Sequence, residues 1–170
     1  RGIGKSSWLK QHFPRAHYIN LLDERLYQSY LADLTPFSLK MMASEQGSLI
    51  IIDEIQRLPG LLNEVHRFIE ERKLRFALSG SSARKLRKSG VNLLAGRALK
   101  RELFPLTPEE LGGDFDLKRI LAHGSIPLIW AGGGAPEILQ AYMEIYLKEE
   151  IQAEALVRNL PGFVRFLPVA

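Results

Sequence analysis

The sequence contains no cysteine, which excludes disulfide bonds and thiolate metal sites. Its histidines are scattered without the His-Glu-x-x-His spacing of a zinc protease. It also lacks the G-x-S-x-G pattern of a serine hydrolase and the G-x-G-x-x-G pattern of a dinucleotide oxidoreductase. No apolar run is long enough to span a bilayer. The lack of cysteine and of a membrane-spanning run fits a cytoplasmic protein without a membrane partner.

The composition is that of a globular protein with a core of useful size. The 170 residues are 46% hydrophobic and 25% charged, which is enough to build one domain and the start of another. The net charge of +4 allows nucleic-acid binding but does not require it.

The chain begins with Arg-Gly-Ile-Gly-Lys-Ser, which matches the last six residues of the phosphate-binding pattern G-x-x-x-x-G-K-[ST]. We expect the first glycine and its leading strand to precede Arg1. A Cβ at Gly4 would crowd the phosphates, Lys5 can reach the β- and γ-phosphates, and the Ser6 hydroxyl can bind Mg²⁺. By itself, the pattern is also compatible with a solvated turn that opens a helix. The predicted nucleotide-binding residues are Gly2, Ile3, Gly4, Lys5, Ser6 and Ser7.

A second motif lies at residues 48–54, where an apolar β-branched run ends in two acids. Such a run is typical of a buried parallel strand. At the carboxyl end of this strand, Asp53 would hold Mg²⁺ and Glu54 could polarise the attacking water. Alone, an acid pair at a helix N-terminus would be the simpler interpretation. The two motifs together favour a nucleoside-triphosphate site.

Two further residues are candidates for catalysis. Ser79 ends the next predicted strand, which can place its hydroxyl near the γ-phosphate or the attacking water. The serines at positions 79–82 could instead cap the short basic helix that follows. Arg97 could act on the γ-phosphate of a neighbouring subunit, which would require self-association, or it could be an ordinary surface arginine.

After the acidic strand, an apolar stripe repeats at helical spacing and predicts a helix that packs on the core, formed by Leu61, Leu62, Val65, Phe68 and Ile69.

Helix and strand signals alternate along the rest of the chain. Thr35 is predicted to cap a helix that has Pro36 in its first position, and Ala98–Phe104 is predicted to be a strand. After a capping box at 107–110, a helix is expected at Asp116–His123. A glycine joint at 132–134 and a long helix from Pro136 to Leu160 complete the pattern. We therefore predict an ATPase core at residues 1–106, followed at 107–170 by a helical lid and the start of a carboxyl-terminal region.

These motifs resemble a family of prokaryotic AAA-type ATPases with a carboxyl-terminal domain of uncharacterised role. The segments that carry the resemblance are 1–7, 49–59, 79–82, 94–97, 104–107, 124–127 and 142–151. The resemblance implies an α/β P-loop NTPase fold, AAA-like, with a three-layer doubly wound parallel sheet and ATP as the nucleotide. It also implies that Lys5 and Ser6 belong to Walker A, Asp53 and Glu54 to Walker B, Ser79 to sensor 1, and Arg97 to an arginine finger.

Three functions remain open at this point. The leading hypothesis is an ATPase in which hydrolysis with Mg²⁺ drives a conformational change. The second is a nucleotide-gated switch with little turnover. The third is a nucleic-acid binder that uses a basic patch formed by Arg84, Lys85, Arg87 and Lys88.

Overall fold

The computed structural model of the protein describes residues 2–80, 98–131, 135–143, 159, 162, 163 and 165. The chain divides into two compact units. One unit consists of Lys5–Lys100, and the other of Arg1–Gly4 together with Arg101–Ala170. No helix in the described part of the chain is both long and apolar enough to cross a membrane.

The unit Lys5–Lys100 is built on a parallel sheet of three strands in the order β1-β2-β3. The strands are β1 (His17–Asn20), β2 (Leu49–Asp53) and β3 (Arg75–Leu78). Its helices are α1 (Lys5–His12), α2 (Glu24–Ala32), α3 (Thr35–Ala43) and α4 (Leu61–Arg72), with a 3₁₀ turn at Ile55–Arg57. Strand β2 lies in the middle, which explains why its sequence is almost entirely apolar.

Alternation along the strands gives the sheet two different faces. Ile19, Ile50 and Ile52 belong to the main hydrophobic core, to which α2, α3 and α4 also contribute. Tyr18 pairs with Ile51 and therefore lies on the opposite face, where the Lys10 ammonium of α1 is 4.5 Å from the centre of its ring. Helices thus cover both faces of the sheet. The predicted α/β fold, with a parallel sheet and flanking helices, is confirmed.

The structure corrects two of the predicted helix and strand positions, and it contains a helix, α2, that was not predicted. Leu34, not Thr35, is the N-cap of α3, and the Asp33 carboxylate accepts the Thr35 N–H at 2.8 Å. A neighbouring acid therefore replaces the threonine hydroxyl that we expected to bind the end of the helix. The predicted strand at Ala98–Phe104 is wrong, because residues 98–104 are all described and none is in a strand. Charged residues occupy positions 100–102, which leaves no apolar run for a sheet to bury.

The described part of the second unit includes the short helices α5 (Pro108–Leu111), α6 (Leu117–His123), α7 (Pro127–Ala131) and α8 (Ala135–Ala141), with a 3₁₀ turn at Gly112–Asp114. The predicted capping box is present, since the Thr107 hydroxyl accepts the Glu110 N–H while the Glu110 carboxylate accepts the Thr107 N–H. The predicted glycine joint at 132–134 lies outside the described residues, as does most of the predicted long helix. The lid remains a prediction.

The core of the Lys5–Lys100 unit supports a stability prediction. Phe37 is fully buried and makes edge-to-face contacts with Tyr30 and Phe68, at ring-centre distances of 5.6 and 6.3 Å. We expect Phe37→Ala to lower the free energy of unfolding by about 3–5 kcal/mol, because it leaves a cavity that the helices cannot close. Urea denaturation measures this loss. Leu39→Ala on the same helix is the control, since Leu39 is 61% exposed and its truncation should have little effect. Equal losses in the two variants would contradict the described core.

Candidate functional site

Asp53 lies at the carboxyl end of the central strand β2 and is only 1% exposed. Backbone hydrogen bonds continue past the strand ends on both sides of it. The Leu21 N–H donates to the Asp53 carbonyl at 3.1 Å, and the Ser79 N–H donates to the Ile52 carbonyl at 2.9 Å. These bonds keep the segments that follow β1 and β3 beside Asp53. The carboxylate is therefore held firmly at the carboxyl ends of the parallel strands, which is where α/β proteins usually bind their ligands.

Three hydroxyl groups from different parts of the chain surround the Asp53 carboxylate. The Ser79 hydroxyl donates to Oδ1, and the Tyr18 hydroxyl donates to Oδ2. The Ser6 side chain, in the first turn of α1, is also hydrogen-bonded to Asp53. The hydrogen bond between Ser6 and Asp53 brings the two predicted motifs together, although they are far apart in the sequence.

The pKa values of this cluster follow from burial and hydrogen bonding. Burial by itself would raise the pKa of Asp53, but the hydrogen bonds from Ser6, Ser79 and Tyr18 outweigh it and hold that pKa below its ordinary value. Burial, the hydrogen bond to Asp53 and the negative charge of Asp53 raise the pKa of Tyr18 to about 12. At neutral pH the carboxylate is therefore charged and the phenol remains a hydrogen-bond donor.

The remaining residues of the predicted phosphate loop lie at and before the start of α1. Lys5 is the first residue of this helix and is partly exposed, whereas Ser7 is exposed. Because the hydroxyl of Ser6 contacts Asp53, the N-terminal end of α1 lies at the same sheet edge as the carboxylate. Backbone N–H groups at a helix N-terminus attract anions. Gly2 and Gly4 adopt positive φ angles of 72° and 82°, which glycine tolerates without strain; Ile3 lies between them.

Glu54 follows Asp53 in an unusual backbone conformation. Its φ of 59° and ψ of 41° place a non-glycine residue in the left-handed region, which costs about 1–2 kcal/mol. The Gln56 amide donates a hydrogen bond to the Glu54 carboxylate. Strained backbone of this kind clusters at functional sites, where the surrounding structure holds it in place. The turn separates the side chain of Glu54 from the regular strand and makes it a candidate for binding a water molecule.

Arg57 secures the turn that follows Glu54, a role that the sequence alone did not reveal. Its guanidinium donates to the Leu21 carbonyl at 2.7 Å and to the Glu24 carboxylate at 2.9 Å. It also lies over the Tyr27 ring, 4.4 Å from the ring centre. Arg57 thus ties the segment after β2 to the start of α2.

Tyr18 is the second residue that the sequence reasoning missed. The available signal was its position two residues before Asn20 on a short strand, because side chains two residues apart point to the same face of a sheet. The missing information was the register, in which Asn20 pairs with Asp53. A register between strands this far apart in sequence cannot be deduced from the local pattern.

The site offers oxygen ligands of the kind that Mg²⁺ prefers. The described residues include no cluster of three or more histidine, aspartate and glutamate side chains that could enclose a metal ion. Nucleotide-bound Mg²⁺ does not need such a cluster, because phosphate oxygens and waters complete its shell beside one or two protein ligands. The adjoining Ser6 hydroxyl and Asp53 carboxylate fit this requirement.

Some predicted functional residues cannot be placed. Arg97, the candidate for action on a neighbouring subunit, lies outside the described residues. The serines at 81 and 82 and the basic patch at 84–88 also lie outside them. The arginine finger, the self-association it would require and nucleic-acid binding therefore stay predictions.

The lowered pKa of Asp53 predicts a specific acid sensitivity. A carboxyl group whose pKa is lower in the folded protein stabilises the fold above its ordinary pKa of 3.8, and this contribution is lost as the pH falls through the folded value. Wild-type protein should therefore be more stable than Asp53→Asn at neutral pH, and the difference should shrink as the pH falls below about 4. Urea denaturation across this pH range measures it. A difference that is independent of pH would show that the charge of Asp53 contributes nothing to stability.

Comparison with known proteins gives one family. A family model described as "AAA domain" matches residues 1–112 of the 170, a range that includes Lys5, Ser6, Asp53, Glu54 and Ser79. No curated protein and no solved structure matches the chain.

Proposed function

Because the chain belongs to the AAA domain family, in which ATP binding and hydrolysis are the general activity, we propose that it binds ATP with Mg²⁺ and hydrolyses it. The observation that carries this proposal is the hydrogen bond between Ser6 and Asp53. It joins the start of α1 to the end of β2, and these are the two places where a P-loop enzyme holds triphosphate and metal.

Each residue then has a role that its position supports. Lys5 would bind the β- and γ-phosphates, and the preceding loop, Gly2 to Gly4, would supply backbone N–H groups to them. Ser6 and Asp53 would hold Mg²⁺, which when bound neutralises charge on the phosphate oxygens. Glu54 would orient the attacking water and accept its proton.

Ser79 has a more limited role in this proposal than the sequence suggested. Its hydroxyl donates to Asp53 Oδ1, so it holds the carboxylate in place. Contact of Ser79 with the γ-phosphate or the attacking water, as expected for sensor 1, stays a prediction.

We also propose that turnover drives a conformational change. The turn after Glu54 is tied by Arg57 to Leu21 and Glu24 at the start of α2. A shift of Glu54 on loss of the γ-phosphate would therefore pull on α2. Coupling of this kind needs an element with two arrangements, and the turn that contains the strained Glu54 backbone is the candidate.

Calorimetric titration with ATP, with and without Mg²⁺, combined with a phosphate-release assay, tests the proposal. We expect binding that is tighter with Mg²⁺, together with steady release of phosphate. Binding without release would favour the nucleotide-gated switch. A correctly folded protein that binds no ATP under either condition would overturn the proposal.

Binding to DNA that weakens steeply as salt is raised would instead support the nucleic-acid hypothesis.

A further inference from the structure

The hydroxyl groups of Tyr18 and Ser79 hold the two oxygens of Asp53 from opposite sides. Tyr18 is on β1 and donates to Oδ2, whereas Ser79 follows β3 and donates to Oδ1. Strand β2, which carries Asp53, runs between them. The carboxylate plane cannot rotate without breaking one of these bonds, so its orientation is set by both neighbouring strands.

Tyr18 is itself held against the end of α1. The Lys10 ammonium lies 4.5 Å from the centre of its ring, and Ser6, which is hydrogen-bonded to Asp53, lies beside its hydroxyl. The phenol therefore donates to the proposed metal ligand on β2 and lies next to the one on α1. A phenylalanine would fill the same space under Lys10 but could not hold Asp53.

We propose that Tyr18 is a positioning residue for metal binding, in which its hydroxyl fixes Asp53 Oδ2 so that the carboxylate faces Ser6 and Mg²⁺. This inference rests on the proposed function. Groups that orient a metal ligand through a hydrogen bond typically change metal affinity by about 10–100-fold when removed. Tyr18 would not contact the nucleotide, so its loss should affect the metal requirement selectively.

Tyr18→Phe tests this inference through the Mg²⁺ dependence of ATP binding. We expect the variant to need about 10–100-fold more Mg²⁺ for half-maximal enhancement of ATP binding. ATP binding in EDTA should stay close to wild type, and the urea midpoint should fall by no more than the loss of one hydrogen bond to Asp53 explains, since the ring is retained. Tyr30→Phe is the matched control, because Tyr30 lies in the core on the other face of the sheet and its variant should keep the wild-type Mg²⁺ requirement.

The possible results separate the inference from the proposed function. If wild-type protein shows no Mg²⁺-dependent ATP binding, the proposed function fails and the inference falls with it. If wild type binds and Tyr18→Phe has the same Mg²⁺ requirement, only the inference is overturned. An equal loss of binding with and without Mg²⁺ would indicate a structural role and would also overturn it. Should Tyr18→Phe fold poorly, Ser79→Ala can be tested instead, because it releases the other oxygen of Asp53 and should raise the Mg²⁺ requirement in the same selective way. An unchanged Mg²⁺ requirement in Ser79→Ala would contradict the proposal that hydrogen bonds from both neighbouring strands orient Asp53.

Discussion

Replacing Lys5 by alanine is expected to lower the rate of ATP hydrolysis by about 10²–10³-fold, the range found when one preorganised donor to a developing charge is removed. The ammonium of Lys5, the first residue of α1, would act as a point charge on the β- and γ-phosphates. Phosphate release measures the rate, and calorimetry should show weaker ATP binding.

The Lys5→Ala variant should nevertheless fold like wild type. Lys5 is partly exposed and is absent from the hydrophobic core, and the hydroxyl groups around Asp53 do not depend on it. Lys40→Ala is the matched control, because Lys40 is an exposed lysine on α3 and its removal should leave hydrolysis unchanged. Equal rates of ATP hydrolysis in the two variants would show that Lys5 does not bind the phosphates.

Glu54→Gln is expected to lower hydrolysis by about 10²–10⁴-fold while ATP stays bound, since general-base catalysis contributes on this scale. Glutamine has the same shape, so the turn and its left-handed backbone should persist. It cannot accept the proton of the attacking water. Phosphate release should nearly stop, and calorimetry should show ATP affinity close to that of wild type.

A second acid-to-amide change serves as the control for Glu54→Gln. Glu45 is exposed and lies between α3 and β2, away from the carboxyl end of the sheet, so Glu45→Gln should turn over ATP at the wild-type rate. Unchanged turnover in Glu54→Gln would defeat the assignment of Glu54 as the base. Loss of ATP binding in that variant would instead assign Glu54 to binding.

The parts of the fold that could be predicted are those that local physics determines. Strand β2 was recognisable because a central parallel strand must be apolar on both faces, and α4 because Leu61, Leu62, Val65 and Phe68 repeat at helical spacing and are buried. The strand expected at Ala98–Phe104 failed because it rested on a few apolar residues around a charged centre. Local patterns of that kind do not specify a partner strand.

The site could be predicted only as far as its motifs reach. Ser6 and Asp53 were expected to meet because the phosphate-binding pattern requires both, and the structure brings them together. The contacts of Tyr18 and Arg57 depend on strand register and on a long-range stacking contact with Tyr27, and no local sequence pattern encodes either. The geometry around Asp53 therefore had to come from the three-dimensional structure.

A crystal structure of the protein with Mg²⁺ and a non-hydrolysable ATP analogue tests the central claim most directly. The account predicts one nucleotide whose β- and γ-phosphates contact the Lys5 ammonium, and one Mg²⁺ with the Ser6 hydroxyl and the Asp53 carboxylate in its first or second coordination sphere. A nucleotide bound elsewhere on the protein, or one bound here with Lys5 and Asp53 turned away from it, would contradict the account.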